Sequence, residues 1–158
     1  MRQLEPTDLT FFETSPYRII GRAHVAAPPD RVFASFADPG EWSKWFPLLK
    51  RAEWIKGTGG IGSERQVTMG AGLGTFRERF IAWEPGVRYA FTMFETTSPL
   101  VKQLAEEYRL SPEDGGTRVD WVMAASPNLL GRITWMPMKA LTGSLFRRGG
   151  VKLDALLR

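Results

Sequence analysis

An α+β architecture follows from three features of the chain: a succession of short strand segments bounded by turns, a pair of short helices ahead of most of them, and one long helix at the C-terminus. Short connections between successive strands imply an antiparallel sheet, and segregated helices imply a layer packed on one of its faces. A strongly twisted sheet of about seven strands has a concave apolar face. The element long enough to cross that face is the last helix, about 45 Å at ~1.5 Å per residue if unbroken. One helix over a curved sheet does not fill it. The predicted fold is therefore a curved antiparallel sheet with two short helices and one long C-terminal helix enclosing a cavity.

Residues 1–15 show no sustained periodicity and read as a loosely held arm, with Phe11 and Phe12 tucked against the body. The first strand is Tyr17 to Ala26, where Tyr17, Ile19, Gly21, Ala23 and Val25 share one face and Arg18, Arg22 and His24 the other. Ala27-Pro28-Pro29-Asp30 stops it and begins a helix in which Val32, Phe33, Phe36 and Ala37 repeat at helical spacing. Asp38-Pro39-Gly40 breaks that helix, and Glu41 to Leu49 reads as a second one ended by Pro47. Strands follow at 51–56, 62–69, 74–83, 87–95, 101–110 and 117–125. Glu84-Pro85-Gly86 and Glu113-Asp114-Gly115-Gly116 are the clearest hairpin turns. The stretch Val101 to Glu107 is assigned to a strand against a helical local propensity.

The last segment, Ser126 to Arg158, reads as one helix, with Ser126 as cap and Pro127 at the first helical position. Trp135, Met138, Thr142, Leu145, Gly149, Leu153 and Leu156 line one face, and Leu129, Leu130, Ile133, Met136 and Ala140 a second. Pro137 removes a backbone donor between the two stripes and predicts a bend, at ~3 kcal/mol unless packing absorbs it. Gly149 fits a helix whose backbone passes close to the sheet.

The 158 residues suit a single domain, and the 43% hydrophobic and 24% charged composition is globular. No apolar run approaches the ~20 residues of a membrane span, which argues against integral membrane association. The first residues lack the pattern of a signal peptide, so a cytoplasmic location is expected. With no cysteine there is no disulfide, thiolate metal site or cysteine nucleophile. The net charge of +4 reads as scattered, and no recognition helix or basic run points to nucleic acid. Nothing in the sequence specifies an oligomeric state.

The stretch Val25 to Pro47, VAAPPDRVFASFADPGEWSKWFP, resembles the START-like, helix-grip proteins of the SRPBCC superfamily, in particular the polyketide cyclase/dehydrase and lipid transport branch. Ala27-Pro28-Pro29, Val32, Phe33, Asp38, Trp42, Trp45 and Pro47 carry the match. Glu84-Pro85-Gly86 with Tyr89, the Gly115-Gly116-Thr117-Arg118-Val119 hairpin leading to Trp121, and the long final helix fall where that family would have them. The resemblance implies a single START-like domain with the helix-grip fold, and spans a range of functions that includes cyclases, lipid carriers, hormone receptors and chaperone cofactors.

Few titratable groups are available for chemistry. The one histidine, His24, lies on the Arg18 and Arg22 face and is expected to be exposed. No carboxylate cluster suits a metal, and no metal or cofactor is expected. Gly57, Gly59, Gly60 and Gly62 lie between strands, the wrong place for a phosphate cradle. Glu64, Arg65, Glu78, Glu95 and Asp120 are the polar candidates for a pocket, set against a solvated outer face. If Glu78 shares the inner face with Phe76 and Phe80, its pKa should rise, making it the acid/base candidate. Phe76, Tyr89, Phe91, Met93, Trp121, Met123, Trp135, Met138, Thr142 and Phe146 divide between core packing and a ligand wall. Trp42 and Trp45 serve either as a lid over the cavity mouth or as an anchor for their helix. The leading expectation is binding or transport of a hydrophobic small molecule such as a lipid or polyketide-like compound. A polyketide cyclase or aromatase-like enzyme is the alternative, and a protein-interaction or regulatory module the third.

Overall fold

The computed structural model describes residues 1–158. In chain order the elements are β1 (Arg2–Gln3), α1 (Phe11–Thr14), β2 (Tyr17–Val25), α2 (Pro29–Ala37), α3 (Pro39–Trp45), β3 (Leu49–Lys56), β4 (Glu64–Met69), β5 (Gly74–Glu84), β6 (Arg88–Thr96), β7 (Val101–Glu113), β8 (Gly116–Pro127), α4 (Leu129–Ile133) and α5 (Trp135–Leu157). The strands form one antiparallel sheet in the order β2-β8-β7-β6-β5-β4-β3, with β1 added to β6. Each strand from β3 to β7 pairs with its successor because short turns leave it no other neighbour. The link from β2 to β3 instead runs from one sheet edge to the other through α2 and α3. No helix is long and apolar enough to cross a membrane.

The seven long strands are those expected from the sequence, with ends shifted by at most three residues. In β7 the helical propensity of VKQLAEE is overridden because both faces are covered. Leu104, Glu106 and Tyr108 turn to the main core, while Ala105 packs with Phe12, Ala82, Ala90 and Ala124 in a small second cluster on the other face. Register shifts in β5 against β6, between Arg77 and Glu78 and between Phe80 and Ala82, mark bulges that bend the sheet around its inner face.

The arm proves to be held rather than loose. After Thr92 the pairing of β6 with β7 ends, and β1 takes the vacant edge at Glu95 and Thr96. Leu4 is buried and its N–H donates to the carbonyl of Phe94 at 2.9 Å. Phe12 in α1 is buried, as expected.

In α2, Pro29 occupies the first turn and Val32, Phe33 and Phe36 are buried. The expected break at Asp38-Pro39-Gly40 is in fact the start of α3: Asp38 accepts from Gly40 N–H at 2.8 Å and Pro39 opens the helix. The helix stops at Trp45 because Pro47 pushes Phe46 into an extended conformation, φ −78 and ψ 118.

The C-terminal segment also departs from expectation at its start. Ser126 and Pro127 belong to the end of β8, and Asn128 is the cap, accepting from Gly131 N–H at 3.0 Å. The anticipated bend takes the form of a break at Thr134 that separates α4 from α5. Pro137 lacks the N–H that would bond Ile133 and its ring crowds that carbonyl, so the chain restarts at Trp135 with Pro137 in the first turn, where it is tolerated. The close approach to the sheet falls at Gly150 rather than Gly149: a Cβ at Gly150 would stand 2.7 Å from Ala23 Cβ, whereas one at Gly149 would meet Pro47 and Phe46 at ordinary distances.

Candidate functional site

The inner face of the sheet is divided. Around Tyr89 and Phe91 it is filled by α2 and α3: Phe33 and Phe36 approach Tyr89 at 6.0 and 6.1 Å between ring centroids, and Phe36 lies 5.3 Å from Trp45. Around Trp121 it is filled by α5, whose Phe146 stacks on that indole at 4.6 Å and 9°. Gly21 makes room for the stack, since a Cβ there would run into the Phe146 ring. Trp45, Tyr89, Phe91, Trp121 and Phe146 are therefore core residues and not part of the cavity wall, because the helices pack directly onto them.

Beyond this packed half lies a partly open cavity of about 420 Å³. Its sheet wall carries Phe76, Glu78, Met93 and Met123; its helical wall carries Trp135, Met138 and Thr142; Trp42 closes the inner end. Trp42 and Trp45 are both buried and pack α3 against the core, as in the anchor reading. The rim is built from residues 98–100 between β6 and β7, from Leu73, and from Gly131 and Thr134 of the last segment. Asn128 ties two of these together, its N–H donating to the Leu100 carbonyl at 3.0 Å and its side chain to that of Pro99.

Two charged groups reach the wall, Glu78 and Glu106. Glu78 is 1% exposed and pairs with Arg65, which is fully buried between Glu78 and the aromatic core. Arg65 Nε donates to Glu78 Oε2 at 2.8 Å, and the guanidinium carbon lies 3.9 Å from the Trp42 ring centroid. Nη2 comes within 2.7 Å of the same oxygen but off the hydrogen-bonding direction, which leaves it without a formal partner. Burial pushes the Glu78 carboxyl up to about 7; the Arg65 charge opposes that rise and nearby Glu106 adds to it. Burial likewise raises Glu106, against the lowering effect of hydrogen bonds from Trp121 Nε1 and Tyr108 Oη, each 3.0 Å from Oε2.

Glu78 lies inward with Phe76, the arrangement on which its reading as an acid/base candidate is conditional, rather than on a solvated outer face. Arg65 is inward too, behind Glu78 rather than on the wall. Glu64, Glu95 and Asp120 pair with Arg79, Arg77 and Arg22, away from the cavity. His24 is exposed. Sequence reasoning missed Glu106. The signal was present: Leu104, Glu106, Tyr108 and Leu110 alternate on one strand face, but the helical propensity of that stretch hid the alternation.

The positive charge is not scattered in the way expected from adjacent pairs alone. Between Trp121 and Leu153 the chain has five basic residues (Arg132, Lys139, Arg147, Arg148, Lys152) and no acidic one, so the remainder of the chain, with 16 basic and 17 acidic residues, is at −1. All five are exposed and none belongs to an ion pair. Beside them Leu129, Ile133 and Met136 are 76%, 72% and 71% exposed next to the cavity rim.

A curved antiparallel sheet gripped by a C-terminal helix over a cavity defines a helix-grip protein. The chain belongs to the family described as polyketide cyclase/dehydrase and lipid transport, which matches residues 18–158. It is 35% identical over 125 residues to uncharacterized proteins of Mycobacterium tuberculosis and Mycobacterium bovis, covering 78% of this chain and 74% of theirs. Among solved structures it is similar to the major latex-like protein 151 of Panax ginseng (TM-score 0.74, 14% identity, 89% of this chain and 96% of that one). A protein of Thermus thermophilus superposes at TM-score 0.71 with 17% identity over 89% and 99% of the two chains. Ara h 8.0201 gives 0.66 with 16% identity over 87% and 97%. At these identities the structural likenesses concern the fold.

Proposed function

We propose that the protein binds and carries a hydrophobic small molecule, lipid-like or polyketide-like, in the cavity between the sheet and α5, and does so in the cytoplasm. The observation that carries this reading is the largely apolar cavity of about 420 Å³, within the range of roughly 300–1,000 Å³ common for ligand sites. Trp42, Phe76, Met93, Met123, Trp135, Met138 and Thr142 would make the contacts. Methionine side chains adapt to varied shapes, and each Å² of apolar surface removed from water contributes about 25 cal/mol. Native mass spectrometry of freshly purified protein, followed by denaturation, tests the proposal. A retained apolar compound, or saturable uptake of an apolar fluorescent probe, is expected; reproducible absence of both would remove it.

A second reading, a cyclase or aromatase-like enzyme, is favoured by Glu78. A carboxyl pushed up to about 7 at the wall of a largely apolar cavity is suited to take and return a proton near neutral pH. Incubation with a poly-β-carbonyl thioester should then yield a cyclised product that Glu78→Gln does not form. Equal product with and without Glu78 would leave the carrier reading alone.

A further inference from the structure

We propose that the cavity selects an apolar molecule whose polar group is a hydrogen-bond donor, an amine or a hydroxyl, seated on Glu106, and that it rejects carboxylates. This rests on the cavity-binding reading above. Glu106 is 8% exposed, and both hydrogen bonds to its carboxyl fall on Oε2. Oε1 takes no hydrogen bond from the protein, and Glu106 lies on the cavity wall. This oxygen is open to the cavity, and a ligand donor there gains a hydrogen bond that the protein does not supply.

The wall also fixes the sign of the preference. Glu78 and Glu106 are its charged residues, and Arg65, the cation that balances Glu78, stands behind Glu78. No basic side chain is therefore available to a carboxylate inside the cavity, which would face two acidic groups of its own kind. An ammonium and a hydroxyl each present a donor to the free oxygen of Glu106, which a carboxylate does not. Trp121 and Tyr108 hold the Glu106 side chain in place from the packed half of the sheet, so the acceptor is fixed before the ligand arrives.

Pyrene, a hydrocarbon probe without a polar group, reports occupancy of the cavity, and decylamine, decanol and decanoate compete for it at neutral pH. Decylamine and decanol should displace pyrene at about tenfold lower concentration than decanoate, a difference of about 1.4 kcal/mol. Glu106→Gln keeps an acceptor for Trp121 and Tyr108 but turns an NH2 donor to the cavity, so it should shift the preference toward decanoate, read against the pyrene occupancy of the variant itself. Equal or better displacement by decanoate in the unaltered protein overturns the inference, as does an unchanged order in Glu106→Gln. Failure of pyrene itself to bind removes the carrier reading, and this inference with it. Decylamine measured against decanol separates a cationic head from a neutral donor.

The outer surface carries a separate inference. The geometry points to α4 and the outward face of α5 as a docking surface for an anionic lipid bilayer. Leu129, Ile133 and Met136 are exposed beside the cavity rim, and Arg132, Lys139, Arg147, Arg148 and Lys152 follow with no acidic residue among them. Exposed apolar side chains flanked by unpaired cations match the boundary between acyl chains and anionic headgroups. The protein should co-sediment with vesicles of phosphatidylcholine and phosphatidylglycerol, less at high salt, and Ile133→Ser with Met136→Ser should weaken this about tenfold. Equal sedimentation with phosphatidylcholine alone overturns the proposal, as does a dimer in buffer that these two substitutions dissolve.

Discussion

Glu78 shows how one side chain couples the cavity to stability. Its ordinary value of 4.5 applies to the unfolded chain, and burial pushes it up to about 7 in the fold. Below pH 4.5 both states hold the proton; between 4.5 and 7 only the folded state does. Stability therefore falls as pH rises through that window and levels above it. Urea unfolding at pH 5 and pH 8 should show this loss, and Glu78→Gln should show a shallower one. Gly21 gives a second test at this scale. Gly21→Ala would displace the Phe146 ring, which cannot simply swing aside because it is stacked on Trp121. A loss of about 1–3 kcal/mol and altered tryptophan fluorescence are expected. Both residues are legible in part: alternation puts Glu78 on the strand face of Phe76 and Phe80 without saying which face is inward, and Gly21 sits on the apolar face of its strand. The partners Arg65 and Phe146 lie 13 and 125 residues away, and no local pattern reports such pairings.

Among the elements, the strands are readable from the sequence because each hydrophobic alternation is bounded by a turn that local chemistry specifies. Helix starts were less legible. Ser126 and Pro127 have the residue types of a helix start, yet they continue β8, because pairing with β7 extends to Val101 opposite Pro127 and outweighs capping preference. Asn128 then caps α4 and tethers the cavity rim to residues 99 and 100. Asn128→Ala should cost about 1 kcal/mol in denaturant unfolding. It should also speed release of a bound apolar probe in stopped-flow measurements, since the rim loses its tie. Unchanged release would show that the rim does not limit exchange.

For the molecule as a whole, β1 closes a gap that the rest of the sheet cannot. Where β7 leaves β6, an unpaired edge would face solvent, and Arg2–Gln3 covers it while Leu4 fills the space beneath. Removal of residues 1–5 should lower stability by about 2–4 kcal/mol and promote association through the bared edge of β6, seen by thermal unfolding and light scattering. The arm carries no periodicity, so its docking was invisible in the sequence: two paired residues and one buried leucine are too short a signal.

The strands, the short helices, the long C-terminal segment and the expectation of a cavity between them are all readable in the sequence. These follow from hydrophobic period and turn chemistry, which act over a few residues. The tertiary structure decided how the inner face is shared out. Phe33, Phe36 and Phe146 fill one half of it and leave the other to the cavity, so that Met93 and Met123 reach the wall while Tyr89, Phe91 and Trp121 do not. It also decided that Arg65 stands behind Glu78 and that Glu106 faces inward with a free oxygen. Those outcomes depend on strand register, bulges and the seat of a helix on the sheet, which only the packing of distant segments can set.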